Sequence, residues 1–242
     1  MRKKILMIGE TETLSGVAVD IDDFYSFFTS PVGGNWHDNE IEFLENPSRR
    51  RLIRKIVEVE KANYDYVIVI FSGHGIEVDN EVVLFLNKEG EEIELSDLTN
   101  LSQRQLIIAD CCRKSFTLLP TDLVSMLTET TILSMSRDQI RQAYEDRILD
   151  SMPQEVVLYA CDEDESAWGT SEGGNYLQYL LHATQRALTD SDSPFVNISR
   201  AHYKAASLLR QEKAYLDQHP QILQPRCSPH QRLPWAVNVR FL

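Results

Sequence analysis

Two side chains in this 242-residue chain could carry covalent catalysis if a fold brought them together. They are His74, framed by glycines in Ser72-Gly73-His74-Gly75, and a cysteine in Asp110-Cys111-Cys112-Arg113. A thiolate is a strong nucleophile, and a nearby imidazole can take the thiol proton and later return it to a leaving group. Either residue alone says little, since a lone histidine is more often core or surface and a lone buried cysteine is usually an inert small hydrophobe. The conjunction is the signal. Val67-Ile68-Val69-Ile70-Phe71 precedes the histidine and Leu106-Ile107-Ile108-Ala109 precedes the cysteines. Such short β-branched runs read as parallel strands buried on both faces, and open α/β sheets bind ligands outside the carboxyl ends of their strands. If residues keep alternating faces past the second run, Asp110 and Cys112 share one face and Cys111 points to the other.

The elements that must position these groups follow from the apolar pattern. Lys4 to Ile8 reads as a first strand, and Val17, Ile21, Phe24 and Phe28 are spaced to line one face of a helix. Glu40 to Leu44 is a candidate second strand. Ser48 is a good cap for a helix that turns Leu52, Ile53, Ile56 and Val57 toward the sheet. Tyr66 to Phe71 is the third strand. Glu81 to Leu86 and Glu92 to Leu95 suggest a hairpin turning at Lys88-Glu89-Gly90, after which Ser96 or Asp97 could cap a short helix. Gln105 to Asp110 is the fourth strand and Val156 to Ala160 the fifth. Helices are expected over Gln139 to Leu149, Asn175 to Leu188 and Ile198 to Leu216, and a sixth strand over Trp235 to Val239. This order predicts an α/β, three-layer sandwich: a six-stranded, mostly parallel sheet with helices on both faces.

A hydrophobic content of 43% allows one ordinary domain with a sizeable core. No linker-like composition divides the chain. The net charge of −13 argues against nucleic acid or an anionic membrane as partner, because both require clustered Lys and Arg. The apolar stretch after Met1-Arg2-Lys3-Lys4 is too short for a secretory signal, and no run approaches a membrane span. Four cysteines, two of them adjacent, form no disulfide framework and suit a reducing compartment, so a cytoplasmic location is expected. His37, His182, His202, His219 and His230 have no metal-ligand spacing, and no phosphate-binding glycine loop occurs, so neither metal nor cofactor is expected.

With Ser72-Gly73-His74-Gly75 after one strand and Asp110-Cys111-Cys112-Arg113 after the next, the sequence resembles the caspase/metacaspase family of cysteine peptidases, and most of all its compact bacterial members. Leu14-Ser15-Gly16 through Asp20 is similar to the family's first loop and helix. Ala160-Cys161-Asp162 through Glu165-Ser166-Ala167, Gly173-Gly174-Asn175-Tyr176, His219-Pro220-Gln221 and Leu233-Pro234-Trp235 resemble its later segments. The chain departs from the family in following Arg113 with Lys114-Ser115. It also lacks paired aspartates before the nucleophile strand, where only Glu91, Glu92, Glu94 and Asp97 stand, so calcium dependence is not expected.

The resemblance implies a single peptidase domain over 1–242, with a large-subunit-like part (1–112), a linker-like segment (113–154) and a small-subunit-like part (155–242). It selects Cys112 as nucleophile and His74 as base, with the N–H groups of Gly75 and Cys112 as oxyanion donors. Gly75 would offer its donor with no side chain in the substrate's way. Asp110 would face the P1 residue, where a carboxylate repels Asp and matches Arg, with Lys as second choice. Asp162 and Trp168 are candidates for the same pocket. The expected activity is endopeptidase cleavage after a basic residue through a thioacyl-enzyme, acting as a monomer on a protein or peptide substrate. A bacterial defence or cell-death pathway, with a pore-forming or other effector as target, is the expected setting. The family's usual cut point falls in 113–154, where Arg113, Lys114, Arg137, Arg141 and Arg147 could be self-cleavage sites, Arg137 foremost. The alternatives are a degenerate scaffold that only binds, a protease preferring P1 Asp, and a non-peptidase thiol hydrolase.

Overall fold

The computed structural model describes residues 1–114, 135–212 and 217–242. The chain opens with β1 (Lys3–Gly9), α1 (Gly16–Thr29), β2 (Ile41–Glu45) and α2 (Arg49–Ala62), then lays down β3 (Tyr66–Ser72). An antiparallel excursion follows, β4 (Gly75–Val78), β5 (Glu81–Phe85) and β6 (Glu92–Glu94), before β7 (Arg104–Asp110) returns to the main sheet. Next come α3 (Arg137–Leu149), β8 (Gln154–Tyr159) and the two-residue strands β9 (Gly169–Thr170) and β10 (Gly173–Gly174). Helix α4 (Asn175–Thr189), β11 (Phe195–Asn197), α5 (Ile198–Leu209), β12 (Gln221–Leu223) and β13 (Pro234–Val237) complete it.

The main sheet has six strands in the order β12-β8-β7-β3-β1-β2, parallel throughout except for β12. Its central strands β1, β3 and β7 are buried at almost every position and apolar through their middles, so alternate residues feed two separate cores. Ile5, Met7, Ile68, Ile70, Leu106 and Ile108 face a cluster filled by Phe24, Phe28, Ile140, Leu177, Ala201 and Trp235. Leu6, Ile8, Val67, Val69 and Ile107 face Leu52 and Ile56 of α2 and Leu84 and Leu86 of the excursion. The molecule is therefore the expected three-layer α/β sandwich. Ser48 caps α2 as expected, its hydroxyl accepting from the Arg51 N–H at 3.3 Å. A cap of this kind contributes about 1 kcal/mol.

Four expectations need correction. Trp235 does not enter the main sheet; β13 pairs with β11 among the helices. There Trp235 stacks on Phe27 at 4.9 Å and donates its indole N–H to Thr184 Oγ1 at 2.7 Å. A four-residue run with one indole satisfies itself better between helices, with a partner for that N–H, than in a sheet. The sixth strand is the antiparallel edge strand β12, too short and too mixed to announce itself. Val57 is exposed on α2 rather than turned to the sheet. Ser96 and Asp97 lie inside a 3-10 turn, Leu95–Leu98, that has no side-chain cap. The last described helix ends at Leu209, and the part of its expected span over 213–216 lies outside the described residues.

Candidate active site

Strand register creates the site. Gly9 of β1 pairs with Ser72 of β3, and Ser72 pairs with Asp110 of β7, so three neighbouring strands end level. Backbone bonds extend the alignment by one residue: the Glu10 N–H donates to Ser72 O and the Gly73 N–H to Asp110 O, both at 3.1 Å. The residues just beyond, His74 and Cys112, are thereby delivered to one edge. Both line a cleft of about 490 Å³ together with Asp20, Ser72, Asp110, Trp168 and Gly174.

Cys112 is half-buried, and its Sγ lies 3.5 Å from the carbonyl oxygen of Ala167. Burial pushes its thiol above the usual range, with the Asp110 charge adding to the rise. Cys111 has a different environment. Its side chain joins the apolar cluster beneath the sheet, and burial raises its thiol far more. A Cβ on Gly75 would lie 2.8 Å from Cys111 Sγ. The missing side chain at Gly75 therefore makes room for Cys111.

The most unusual feature is a pair of buried carboxyls. Asp20 of α1 is 1% exposed and Asp110 is 6% exposed. Asp20 accepts from the Ser72 hydroxyl at 2.8 Å and from the Gly174 N–H at 2.9 and 3.0 Å. Asp110 Oδ1 has no hydrogen-bond partner among the described residues. A Cβ on Gly174 would fall 1.7 Å from Asp110 Oδ2, so only glycine lets the α4 N-terminus close over this carboxyl. Burial pushes Asp20 up to about 7 and Asp110 well above the usual carboxylate range, and the Asp20 charge raises Asp110 further. Two carboxyls that feel each other's charge out of water resist being ionised together.

Asp162 is not among the residues lining this cleft. Its carboxylate accepts from Gln221 Nε2 at 3.0 Å and lies 4.0 Å from Arg113 Nη1. The acidic stretch around it serves other groups. Glu163 approaches Arg113 at 3.5 Å, and Glu165 grips His219 Nδ1 at 2.6 Å and the His219 N–H at 2.8 Å. Arg113 itself is buried, paired with Glu77 at 2.7 Å and laid over the Tyr159 ring at 4.5 Å. It pins the chain immediately after Cys112. Trp168 is half-buried at the cleft wall, its N–H donating to Gln218 Oε1 at 3.3 Å. Asp20 and Ser72, which sequence reasoning did not count as site residues, line the cleft beside Asp110. Asp20 carried a signal, because its position falls among Val17, Ile21 and Phe24 on the apolar face of α1. A carboxylate there is costly unless it is hydrogen-bonded or paired, as Asp20 is by Ser72 and Gly174.

The profile of the family described as "Caspase domain" matches residues 2–229. The chain belongs to the caspase-domain family. Among solved structures it is similar to a Geobacter sulfurreducens protein, at 15% identity and a TM-score of 0.61, covering 98% of this chain and 99% of that one. It is also similar to caspase-1 from Spodoptera frugiperda, at 11% identity and a TM-score of 0.57, covering 92% of this chain and 86% of that one. Identities so low speak to the fold alone. No curated protein sequence matches the chain. Membership of the caspase-domain family places it among cysteine peptidases. No helix among the described residues is long and apolar enough to cross a membrane.

Proposed function

We propose that this caspase-domain protein is an endopeptidase that cleaves after Arg, with Lys as second choice. The observation that carries this reading is the buried Asp20–Asp110 pair beside Cys112, with one Asp110 oxygen lacking a hydrogen-bond partner among the described residues. A guanidinium has five donors in a rigid fork and is the natural counterpart of two carboxylates. A P1 Asp would add a third buried negative charge and is disfavoured. His74 is the general base: because burial holds the Cys112 thiol up, attack requires the imidazole to take its proton. The thiolate adds to the scissile carbonyl, the oxyanion is met by the N–H groups of Gly75 and Cys112, and His74 protonates the departing amine. Water then releases the acid from the thioacyl-enzyme. No metal or cofactor has a part in this scheme. A cytoplasmic location and a role in activating or executing a bacterial defence response, against an effector protein, extend the same reading.

The test is a matched set of peptide reporters with Arg, Lys or Asp at P1, run with wild type and Cys112→Ala. Wild type is expected to turn over Arg best and Asp least, and Cys112→Ala to be inactive. Preference for P1 Asp, or turnover that survives Cys112→Ala, would sink the reading. A binding-only scaffold would show no turnover while retaining affinity for arginyl peptides.

A further inference from the structure

A second cavity, of about 250 Å³, shares His74 and Thr13 with the cleft and is lined by Glu10, Thr13, His74, Phe85, Asn87 and Lys88. His74 and Thr13 are common to both cavities, whereas Cys112, Asp20 and Asp110 line only the first. We propose that this cavity is the subsite for the residue following the scissile bond, P1′, and that it selects a large apolar side chain there. The proposal rests on the endopeptidase reading above and deepens it.

The direction follows from the chemistry. The P1 side chain lies in the cleft with the carboxyl pair, and the scissile carbonyl lies at Cys112. His74 must reach the leaving nitrogen to protonate it. The peptide beyond that nitrogen therefore departs past the imidazole, and the cavity bounded by the imidazole but not by the thiol is where its first side chain falls.

The apolar preference follows from how the polar lining is already occupied. Glu10 is 1% exposed, and its carboxylate accepts from the N–H groups of Glu12 at 3.0 Å and Thr13 at 2.9 Å and from the Thr13 hydroxyl. Asn87 donates to Pro47 O at 3.1 Å and accepts from the Glu91 N–H at 3.2 Å. Lys88 holds Glu12 at 2.8 Å at the rim. Beside the His74 imidazole, the lining that remains is mostly apolar, with Phe85 half-buried in it. Phe85 is fixed there because its N–H donates to His74 O at 3.0 Å, coupling the cavity wall to the base. The volume exceeds several waters at about 30 Å³ each, room enough for a leucine or phenylalanine side chain.

The experiment uses internally quenched peptides with P1 Arg and Gly, Ser, Asp, Lys, Leu or Phe at P1′. An arginyl-aminocoumarin reporter, which has no P1′ residue, is run alongside. Wild type is expected to favour Leu and Phe over Gly by about tenfold in kcat/KM, as filling an apolar pocket typically yields. In Phe85→Ala that ratio is expected to collapse toward one, while Phe85→Leu keeps most of it. The ratio within each variant cancels any general loss of active protein. Good turnover of the aminocoumarin reporter with a flat P1′ profile would overturn the subsite and leave the endopeptidase reading standing. So would a Leu/Gly ratio that is the same in wild type, Phe85→Ala and Phe85→Leu. No turnover of the arginyl reporter by wild type would overturn both.

Discussion

At the scale of single residues, the two adjacent cysteines and the two buried aspartates make separable predictions. Cys112→Ala is expected to abolish peptidase activity and Cys111→Ala to leave most of it, since Cys111 belongs to the core cluster. Inactive, folded Cys111→Ala protein beside active Cys112→Ala protein would reverse the assignment. Asp110→Asn is expected to lower kcat/KM on arginyl peptides by at least about a hundredfold, the scale of a desolvated charge pair losing one partner. Asp20 adds a pH dependence with two signs. A cationic P1 group requires the carboxyls ionised, so efficiency on arginyl peptides should rise as pH passes about 7, and Asp20→Asn should flatten that rise. Stability runs the other way. The folded-state value of Asp20 lies above its unfolded one, so its stabilising share is complete below the unfolded value and is lost as pH rises through about 7. The Tm of Asp20→Asn relative to wild type should therefore be higher at pH 8 than at pH 5. A difference that does not change with pH would contradict it.

At the scale of elements, legibility tracked how strongly each segment's own pattern constrained it. Strands β1, β3 and β7 each carry a continuous apolar run and end level, so both their presence and the placement of His74 and Cys112 at one edge could be read from the sequence. The edge strand β12 is three residues long and held by pairing with β8, so nothing local marked it. Strand β4 escaped notice because Gly75 to Val78 joins the hairpin only through partners that follow it. The acidic stretch at 162–165 could not be assigned because its role depends on where Arg113 and His219 arrive, which only tertiary structure decides. Helix α3 was legible over Gln139 to Leu149, but its docking was not, since it meets β1 through buried charges. Glu145 pairs with Lys3 at 3.1 Å and Arg141 at 2.8 Å, and Arg141 reaches Glu40 at 2.6 Å. Burial, with the Arg141 charge next, lowers Lys3 to about 8. Glu145→Gln is expected to destabilise by about 3 kcal/mol, because a buried ammonium loses its partner. Adding Lys3→Met should recover much of that loss in denaturant unfolding, and no recovery would mean the network stabilises through something other than charge pairing.

At the scale of the whole molecule, the fold bears on self-cleavage. Of the basic residues in 113–154 outlined as possible cut sites, Arg113 is buried, and Arg141 and Arg147 are bonded within or from α3. A protease takes an extended substrate, which leaves Lys114 and the exposed Arg137 at the helix start as accessible sites. We expect full activity without cleavage, checked by mapping new N-termini after incubating wild type and Cys112→Ala. Activity that appears only with a cut in 113–154 would refute it. The fold also bears on when activity can first arise. The Gly174 N–H that closes over Asp20 comes from 154 residues further along the chain. A growing polypeptide acquires His74 and Cys112 long before it can complete the pocket that would hold a substrate. Parallel pairing of distant strands is also slow to form. On the endopeptidase reading proposed above, the ribosome could synthesise this chain beside its own substrates, because the nascent chain would carry the reactive groups before the cleft that directs them exists.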